Sequence, residues 1–384
     1  MIMKFIKYIS LLSAAVLLLT GCKDEPQQRV TERTVLVYMA ANNSLGSLSY
    51  DAKDINEIKE AVVAGALGKT GRLMLFHAPT DGSKTLFEVM PDGSFVTVRE
   101  YDASELVVSS DFMLKVFNDA KSYAPANDYG LIMWSHSLGW TQNGISDDGP
   151  SATPKSWGED RGRTMNISTL ARVLKASPWS WIYFDCCYMG SVEVMYEFAS
   201  VLPFMVASAS EIPLDGMPYQ KNLPLFFKSQ PDLVGAARNT YDYYNNLSGM
   251  DRTATISVFD LSGMQSLADA TKPIYKESEI VTPSSFTNLP LTLDRVPLFY
   301  DLGVYVRGLC ETNAIDINLL ESWNKSYNKV VVYHAATPML WSQISLENFS
   351  GMSTFIPRSE SDLTYRGYDT LKWYTEVANL LYNK

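Results

Sequence analysis

Basic residues are in short supply: 32 lysines and arginines stand against 42 acidic side chains, a formal net charge of −10. Two of those lysines, Lys4 and Lys7, sit near the amino terminus, so the remainder is more acidic still. Such a chain lacks the electrostatic footprint of a nucleic-acid binder. Long apolar runs are also missing, apart from "ISLLSAAVLLL" close to the start, which is too short for a comfortable membrane span. Following a positive start, it reads as the core of a signal peptide over residues 1–21. Cysteine is scarce, with four in 384 residues, and Cys186 and Cys187 are adjacent. An adjacent pair makes a poor disulfide framework, and a thiol kept free in an exported chain points to chemistry at sulfur. Histidine occurs three times, at His77, His136 and His334. There is no internal repeat and no low-complexity segment.

The leader ends in "LTGC", which resembles a bacterial lipobox and implies a lipid on Cys22 as the membrane anchor. The "KDE" that follows resembles the acidic export signal of some Bacteroidetes lipoproteins. That implies the outer membrane and its cell-surface face, with the periplasmic face as the alternative. Residues 22–33 are polar and form a tether. The rest exceeds what one small core holds, so the length fits one large domain with an appendage, or two domains.

"RTVLVYMAA", "GRLMLFHAP", "YGLIMWSH" and "WIYFDCC" are apolar, β-rich runs of the kind buried on both faces of a sheet. Helically spaced segments lie between them, including "SYDAKDINEIKEAVVAG", "DFMLKVFNDAKSY" and "ISTLARVLKAS". Strand and helix alternate, which predicts an α/β fold with a mainly parallel sheet flanked by helices on both faces. "FMVASASE" and "TATISVFDL" continue it, giving a core over residues 34–260. Residues 261–384 read as a mostly helical C-terminal subdomain that includes the strand-like "KVVVYHA" and ends on the helix-like "DTLKWYTEVANLLYN".

In open parallel sheets the reactive groups gather at the carboxyl ends of strands. His136 ends the third strand and Cys187 the fourth. An imidazole beside a thiol draws off its proton, and the thiolate is the nucleophile. A rival reading takes Ser137 as the nucleophile of a G-x-S-x-G elbow with His334 as its base. Against it, position 135 is Ser rather than Gly, and turn formers, not a helix, follow. His77 and His334 end apolar runs and read as structural histidines, and Cys310 reads as core. "SDDGPSATPKSWGEDRGRTMN", residues 146–166, has breakers, no apolar period and three basic residues, Lys155, Arg161 and Arg163. It is predicted to be an exposed, mobile loop beside the site.

"VLVYMAANNSLGSLSYDAKDINEI", "LIMWSHSLGW", "DCCYMGSVEVMYEF" and "ASASEIPLDGMPY", in this order, resemble the clostripain family of cysteine peptidases. The resemblance spans about residues 34–220, and "TATISVFDLS" continues it. It implies a caspase-like fold and a His136–Cys187 dyad. The family's Asp-x-Cys-x-Met-Gly segment falls on Asp185, Cys187, Met189 and Gly190, with Cys186 in a small buried position. It also implies that Asp185 and Asp215 receive the Arg or Lys side chain of a protein or peptide substrate, and that the chain matures by internal cleavage, with Lys155, Arg161 and Arg163 as candidates. The backbone N–H groups of Ser137 and Cys187 would hold the oxyanion. Relatives commonly carry Gly at the position of Ser137, a departure that keeps the N–H. No cofactor is required by the sequence; calcium enters through the resemblance alone, with Asp147 and Asp148 as the acids that prompt it. The alternative from another class is a catalytically silent surface lipoprotein that keeps the fold for binding.

Overall fold

The computed structural model describes residues 31–141, 156–281, 286, 288–289 and 298–382. The signal peptide, Cys22, Asp147, Asp148 and Lys155 lie outside the described residues. Thr31–Lys384 group as one compact unit.

The first half alternates as the sequence predicts. β1 (Arg33–Ala40) leads through the single turn α1 (Ser44–Ser47) and α2 (Tyr50–Val63) to β2 (Gly71–Ala78). A hairpin, β3 (Thr85–Val89) and β4 (Phe95–Glu100), precedes α3 (Ser110–Tyr123) and β5 (Asp128–Trp134). A second small hairpin, β6 (Trp157–Asp160) and β7 (Arg163–Met165), leads into α4 (Ile167–Ala176) and β8 (Trp181–Asp185). Then come α5 (Val192–Phe198), β9 (Phe204–Ala207), α6 (Tyr219–Phe226), α7 (Leu233–Asn245) and β10 (Thr255–Asp260). The remainder supplies α8 (Met264–Glu277), β11 (Asn288–Leu289), β12 (Phe299–Asp301), α9 (Leu302–Thr312), α10 (Ile317–Val330) and β13 (Val331–Ala336).

The main sheet runs β13-β10-β9-β8-β5-β1-β2-β3-β4. Its five central strands, β9 to β2, are parallel, and antiparallel strands extend both edges. Neither edge hairpin strand follows from a continuous apolar run: β3 and β4 are half exposed, and their alternation is weak. β13 comes from the C-terminal third and finishes the opposite edge.

Each central strand is apolar on both faces because helices cover both. Val37, Leu75, Ile132, Trp134 and Tyr183 pack with α2, α6 and α7. Tyr38, Phe76, Met133, Phe184 and Cys186 pack on the other side with α3, α4, α5 and the C-terminal helices. The period of two decides which side each residue joins. Burying these two layers is the main source of stability, at roughly 25 cal/mol per Å² of apolar surface. The last segment is helical from Lys372 to Tyr382, with a π turn, Tyr374–Ala378, inside it, and tight 3₁₀ turns over Glu360–Thr370 precede it. No helix among the described residues is long and apolar enough to cross a membrane.

Candidate active site

Trp134 and Asp185 are the last paired residues of the parallel β5/β8 ladder. His136 and Cys187 each stand two residues further along. Adjacent strands run about 4.8 Å apart, and residues two apart share a face. The two side chains therefore leave neighbouring strand ends on the same side, and both line one cavity with Ser135, Asp185, Ile212 and Gly216. Cys186 goes the other way, into the core, where it is 1% exposed. The half-buried Cys187 is thus the more accessible of the two thiols.

The backbone around Cys187 is bent hard. Tyr188, directly after it, has φ +58°, a left-handed conformation costly for a non-glycine residue. Its ring is buried and stacked 4.5 Å from Phe299, and its N–H donates to Ser210 O at 2.9 Å, so packing enforces the bend. Cys187 Sγ accepts the Ile212 N–H at 3.4 Å. Burial pushes the Cys187 thiol up to about 12, against the smaller opposing pull of that N–H. At neutral pH such a thiol is protonated, and it needs a base to become a nucleophile.

The imidazole that could serve sits in a fixed frame. His136 O accepts the Gly158 N–H at 2.9 Å, and Nε2 lies 2.8 Å from Ser44 Oγ. Ser135, buried beside it, donates to Ala40 O at 2.8 Å and accepts the Glu159 N–H at 3.0 Å. On the far side of His136, the ladder bonds use His136 C=O and Leu138 N–H. The N–H of Ser137, between them, points away from the hairpin. A thiol, an imidazole and a backbone donor at one strand end are the parts that acyl transfer requires.

The serine-elbow reading fails here. Ser137 Oγ is buried, donates to Ser156 O at 2.8 Å and accepts the Gly139 N–H at 3.1 Å. His334 lies on β13, separated from β5 by β10, β9 and β8. That is four strand spacings, roughly 19 Å, so it cannot serve Ser137. His334 instead pairs opposite Ser257, with its ring against Phe349. His77 bonds Asp51 at 2.8 Å, and Cys310 is buried in α9.

Of the two expected substrate carboxylates, Asp185 lines the cavity and Asp215 does not, although its neighbour Gly216 does. Asp185 is buried, its Oδ1 accepts the Met217 N–H at 3.0 Å, and the buried Tyr219 hydroxyl stands against its carboxyl. Gly216 has φ +62°, and a Cβ on it would lie 2.9 Å from both Asp185 oxygens. Only glycine lets the Asp215–Gly216 turn come this close. Asp54, absent from the sequence reading, completes the cluster from α2. It is fully buried, its Oδ2 accepts Trp134 Nε1–H at 2.7 Å, and its Oδ1 has no partner. Burial raises both carboxyls far above the carboxylate range, Asp185 to about 7, and the charge on Asp185 raises Asp54 further. The missed signal was a carboxylate four residues before Ile58, inside the apolar stripe of α2. Lys53, also missed, places its Nζ 2.5 Å from Asp215 Oδ1. The cavity itself holds about 40 Å³, room for a few waters and not for a guanidinium side chain.

Residues 156–166 correct the prediction of an open loop. β6 and β7 form an antiparallel hairpin in which Trp157 and Asp160 are fully buried. Asp160 accepts the Val107 N–H at 2.9 Å and Asn42 Nδ2–H at 3.0 Å, which pins the hairpin to β1 and the chain before α3. Arg161 sits at its turn, bonded to the carbonyls of Ser104 and Glu105, and Arg163 pairs opposite Asp160. A short polar-looking sequence concealed the hairpin because its anchors are far away in the chain. Among the described residues no three His, Cys, Asp or Glu side chains gather as metal ligands, and no calcium site is assigned.

A model of the clostripain family matches residues 37–380. An inactive zymogen C11 protease from Parabacteroides distasonis is 26% identical, with a TM-score of 0.77 over 91% of this chain and 98% of that one. A secreted C11 cysteine protease from Bacteroides thetaiotaomicron, in complex with an irreversible peptide inhibitor, is 27% identical, with a TM-score of 0.75 over 90% and 99%. A clostripain from the same organism, in complex with the peptide inhibitor BTN-VLTK-AOMK, is 27% identical, with a TM-score of 0.50 over 57% and 97%. No curated protein matches.

Proposed function

The chain belongs to the clostripain family of cysteine peptidases, and from that premise we propose that it cleaves peptide bonds after Arg or Lys through His136 and Cys187. The observation that carries this reading is the Trp134–Asp185 register, which sends base and thiol from adjacent strand ends into one cavity that Asp185 also lines. Cys187 Sγ attacks the scissile carbonyl carbon as its proton passes to His136. The C–N bond then breaks, the amine leaves with that proton, and a thioester remains on Cys187. Water, deprotonated by His136, attacks the thioester and releases the acid and the thiol. The N–H groups of Ser137 and Cys187 hold the oxyanion in both halves.

Asp185 and Asp215 receive the basic side chain. Three observations support this: Asp185 lines the cavity, Gly216, next to Asp215 in the chain, lies against its carboxyl, and Asp215 already holds the chain's own lysine. A relative bound to an inhibitor whose peptide reads VLTK, ending in lysine, agrees with it. The small cavity and the protonated thiol fit a resting form, and a relative is known as an inactive zymogen. Conversion takes a cut after Lys155, Arg161 or Arg163, of which Arg161 and Arg163 are tied into the hairpin. Lipid on Cys22 anchors the enzyme in the outer membrane at the cell surface.

The test is turnover of fluorogenic peptides ending in Arg, Lys, Asp or Leu by the full chain and by Cys187→Ala. Cleavage of the Arg and Lys peptides alone, lost in the variant, is the expected result. Equal turnover of all four peptides sinks the specificity, and turnover that survives Cys187→Ala sinks the dyad. Radiolabelled fatty acid incorporated by the wild type and not by Cys22→Ala tests the anchor.

A further inference from the structure

A histidine that takes a proton from a thiol must hold its own proton on the other ring nitrogen, and something has to keep it there. The structure gives the Nε2 atom of His136 a partner 92 residues away, Ser44 Oγ at 2.8 Å. We propose that Ser44 is a positioning residue for His136. Its hydroxyl oxygen accepts the Nε2–H and so leaves the Nδ1 lone pair to take the proton of Cys187. This inference rests on the Cys187–His136 reading above.

Ser44 is exposed, yet its place is closely determined. It opens α1, and Asn43 ties that turn down on three sides. Asn43 Oδ1 accepts the Leu45 N–H at 2.9 Å, while its Nδ2 donates to Ala40 O at 2.8 Å and Glu159 O at 3.1 Å. Gly46 lets the turn settle on the end of β1, since a Cβ there would fall 1.9 Å from Ala41 O. His136 is held by the same two pieces of chain. Its neighbour Ser135 donates to Ala40 O and accepts from Glu159 N, and its own carbonyl accepts from Gly158 N. Both ends of the Ser44–His136 bond therefore hang from the end of β1 and from the Gly158–Glu159 peptide. A hydroxyl so mounted fixes ring rotation as well as tautomer, which is how a third group makes a base effective. The alternative polarity, Ser44 donating into an Nε2 lone pair, would put the proton on Nδ1 and give the thiol no acceptor there.

The experiment compares the full chain with Ser44→Ala, Ser44→Thr, His136→Ala and Cys187→Ala. It reads kcat and KM on an Arg-ended fluorogenic peptide and the ring-nitrogen NMR signals of ¹⁵N-histidine-labelled protein. With three histidines in the chain, the His136 signals are identified by their loss in His136→Ala. Expected is the Nε2–H tautomer in the wild type and mixed tautomers in Ser44→Ala. Turnover by Ser44→Ala should fall about 3- to 10-fold in kcat, the worth of one neutral hydrogen bond, with KM unchanged. Ser44→Thr keeps the hydroxyl and should restore most of the rate. A wild-type proton on Nδ1 overturns the proposal, as does a Ser44→Ala enzyme with unchanged kcat and tautomer. A loss confined to KM also overturns it, because it makes Ser44 a substrate contact. Wild-type turnover by Cys187→Ala or His136→Ala instead overturns the dyad, and the inference with it. Melting temperature separates these outcomes from misfolding, and Ser44→Thr remains informative if the alanine variant is unstable.

Discussion

The ammonium of Lys53 lies 2.5 Å from the carboxylate of Asp215, so the acid expected to receive a substrate's cation already holds one of the chain's own. Both side chains are about two-fifths exposed, and pairs of that kind contribute little to stability, about 0.2–1 kcal/mol. On the proposed reading of Asp215, displacing Lys53 is nevertheless a step that every basic substrate has to take. Lys53→Ala should lower KM for Arg- and Lys-ended peptides by about 2- to 5-fold and leave kcat near its original value. Initial rates across substrate concentrations decide it; an unchanged or higher KM means that Asp215 does not meet the substrate.

Cys186 is buried in the core and Cys187 is half-buried at the cavity, and the cost of losing each differs accordingly. Cys187→Ala should abolish turnover with little change in melting temperature. Cys186→Ala removes a buried sulfur and should cost on the order of 1 kcal/mol in stability while turnover persists. Urea unfolding together with peptide hydrolysis reads both quantities. A folded, inactive Cys186→Ala beside an active Cys187→Ala would reverse the assignment.

The buried acids predict how affinity depends on pH. Burial raises Asp185 to about 7, so it is neutral below that pH and charged above it. A guanidinium binds the charged form, and below pH 7 binding must first pay for its ionisation. KM for an Arg peptide should therefore fall as pH rises from about 6 to 8. Asp54, pushed to about 9, is neutral through that range, so Asp54→Asn, which keeps an acceptor for Trp134, should leave the profile where it is. Asp185→Asn should raise KM and flatten the profile. A KM independent of pH in the wild type would exclude Asp185 as the ionising partner.

Self-processing should leave two associated fragments in the wild type and an intact chain in Cys187→Ala. Because Arg161 and Arg163 are held in the hairpin, Lys155→Ala should block the cut more than Arg161→Ala or Arg163→Ala does. Mass spectrometry of each variant over time reads the new termini. A wild type that cleaves peptides at full rate while its chain stays whole would remove processing from the account and leave the dyad in place.

Much of this protein was legible from neighbours in sequence. Apolar runs such as "VLVYMAA" and "LIMW" announce buried parallel strands, because their residues face helices on both sides. The two-residue period then separates Cys187 from Cys186 and sets His136 level with Cys187. These are properties of a few consecutive residues, and local rules suffice for them. What the fold alone decided joins residues far apart. Ser44 meets His136 across 92 positions, Lys53 meets Asp215 across 162, and Asp54 becomes a buried acid against Trp134 across 80. Such contacts depend on strand order and on which helix covers which face. A carboxylate at position 54 reads as a solvated helix residue until α2 packs against α6 and the end of β5. The same holds for the hairpin at residues 157–165, whose breakers and charges look open in sequence. It closes because Asp160 finds its donors at Asn42 and Val107, supplied by the end of β1 and the chain before α3.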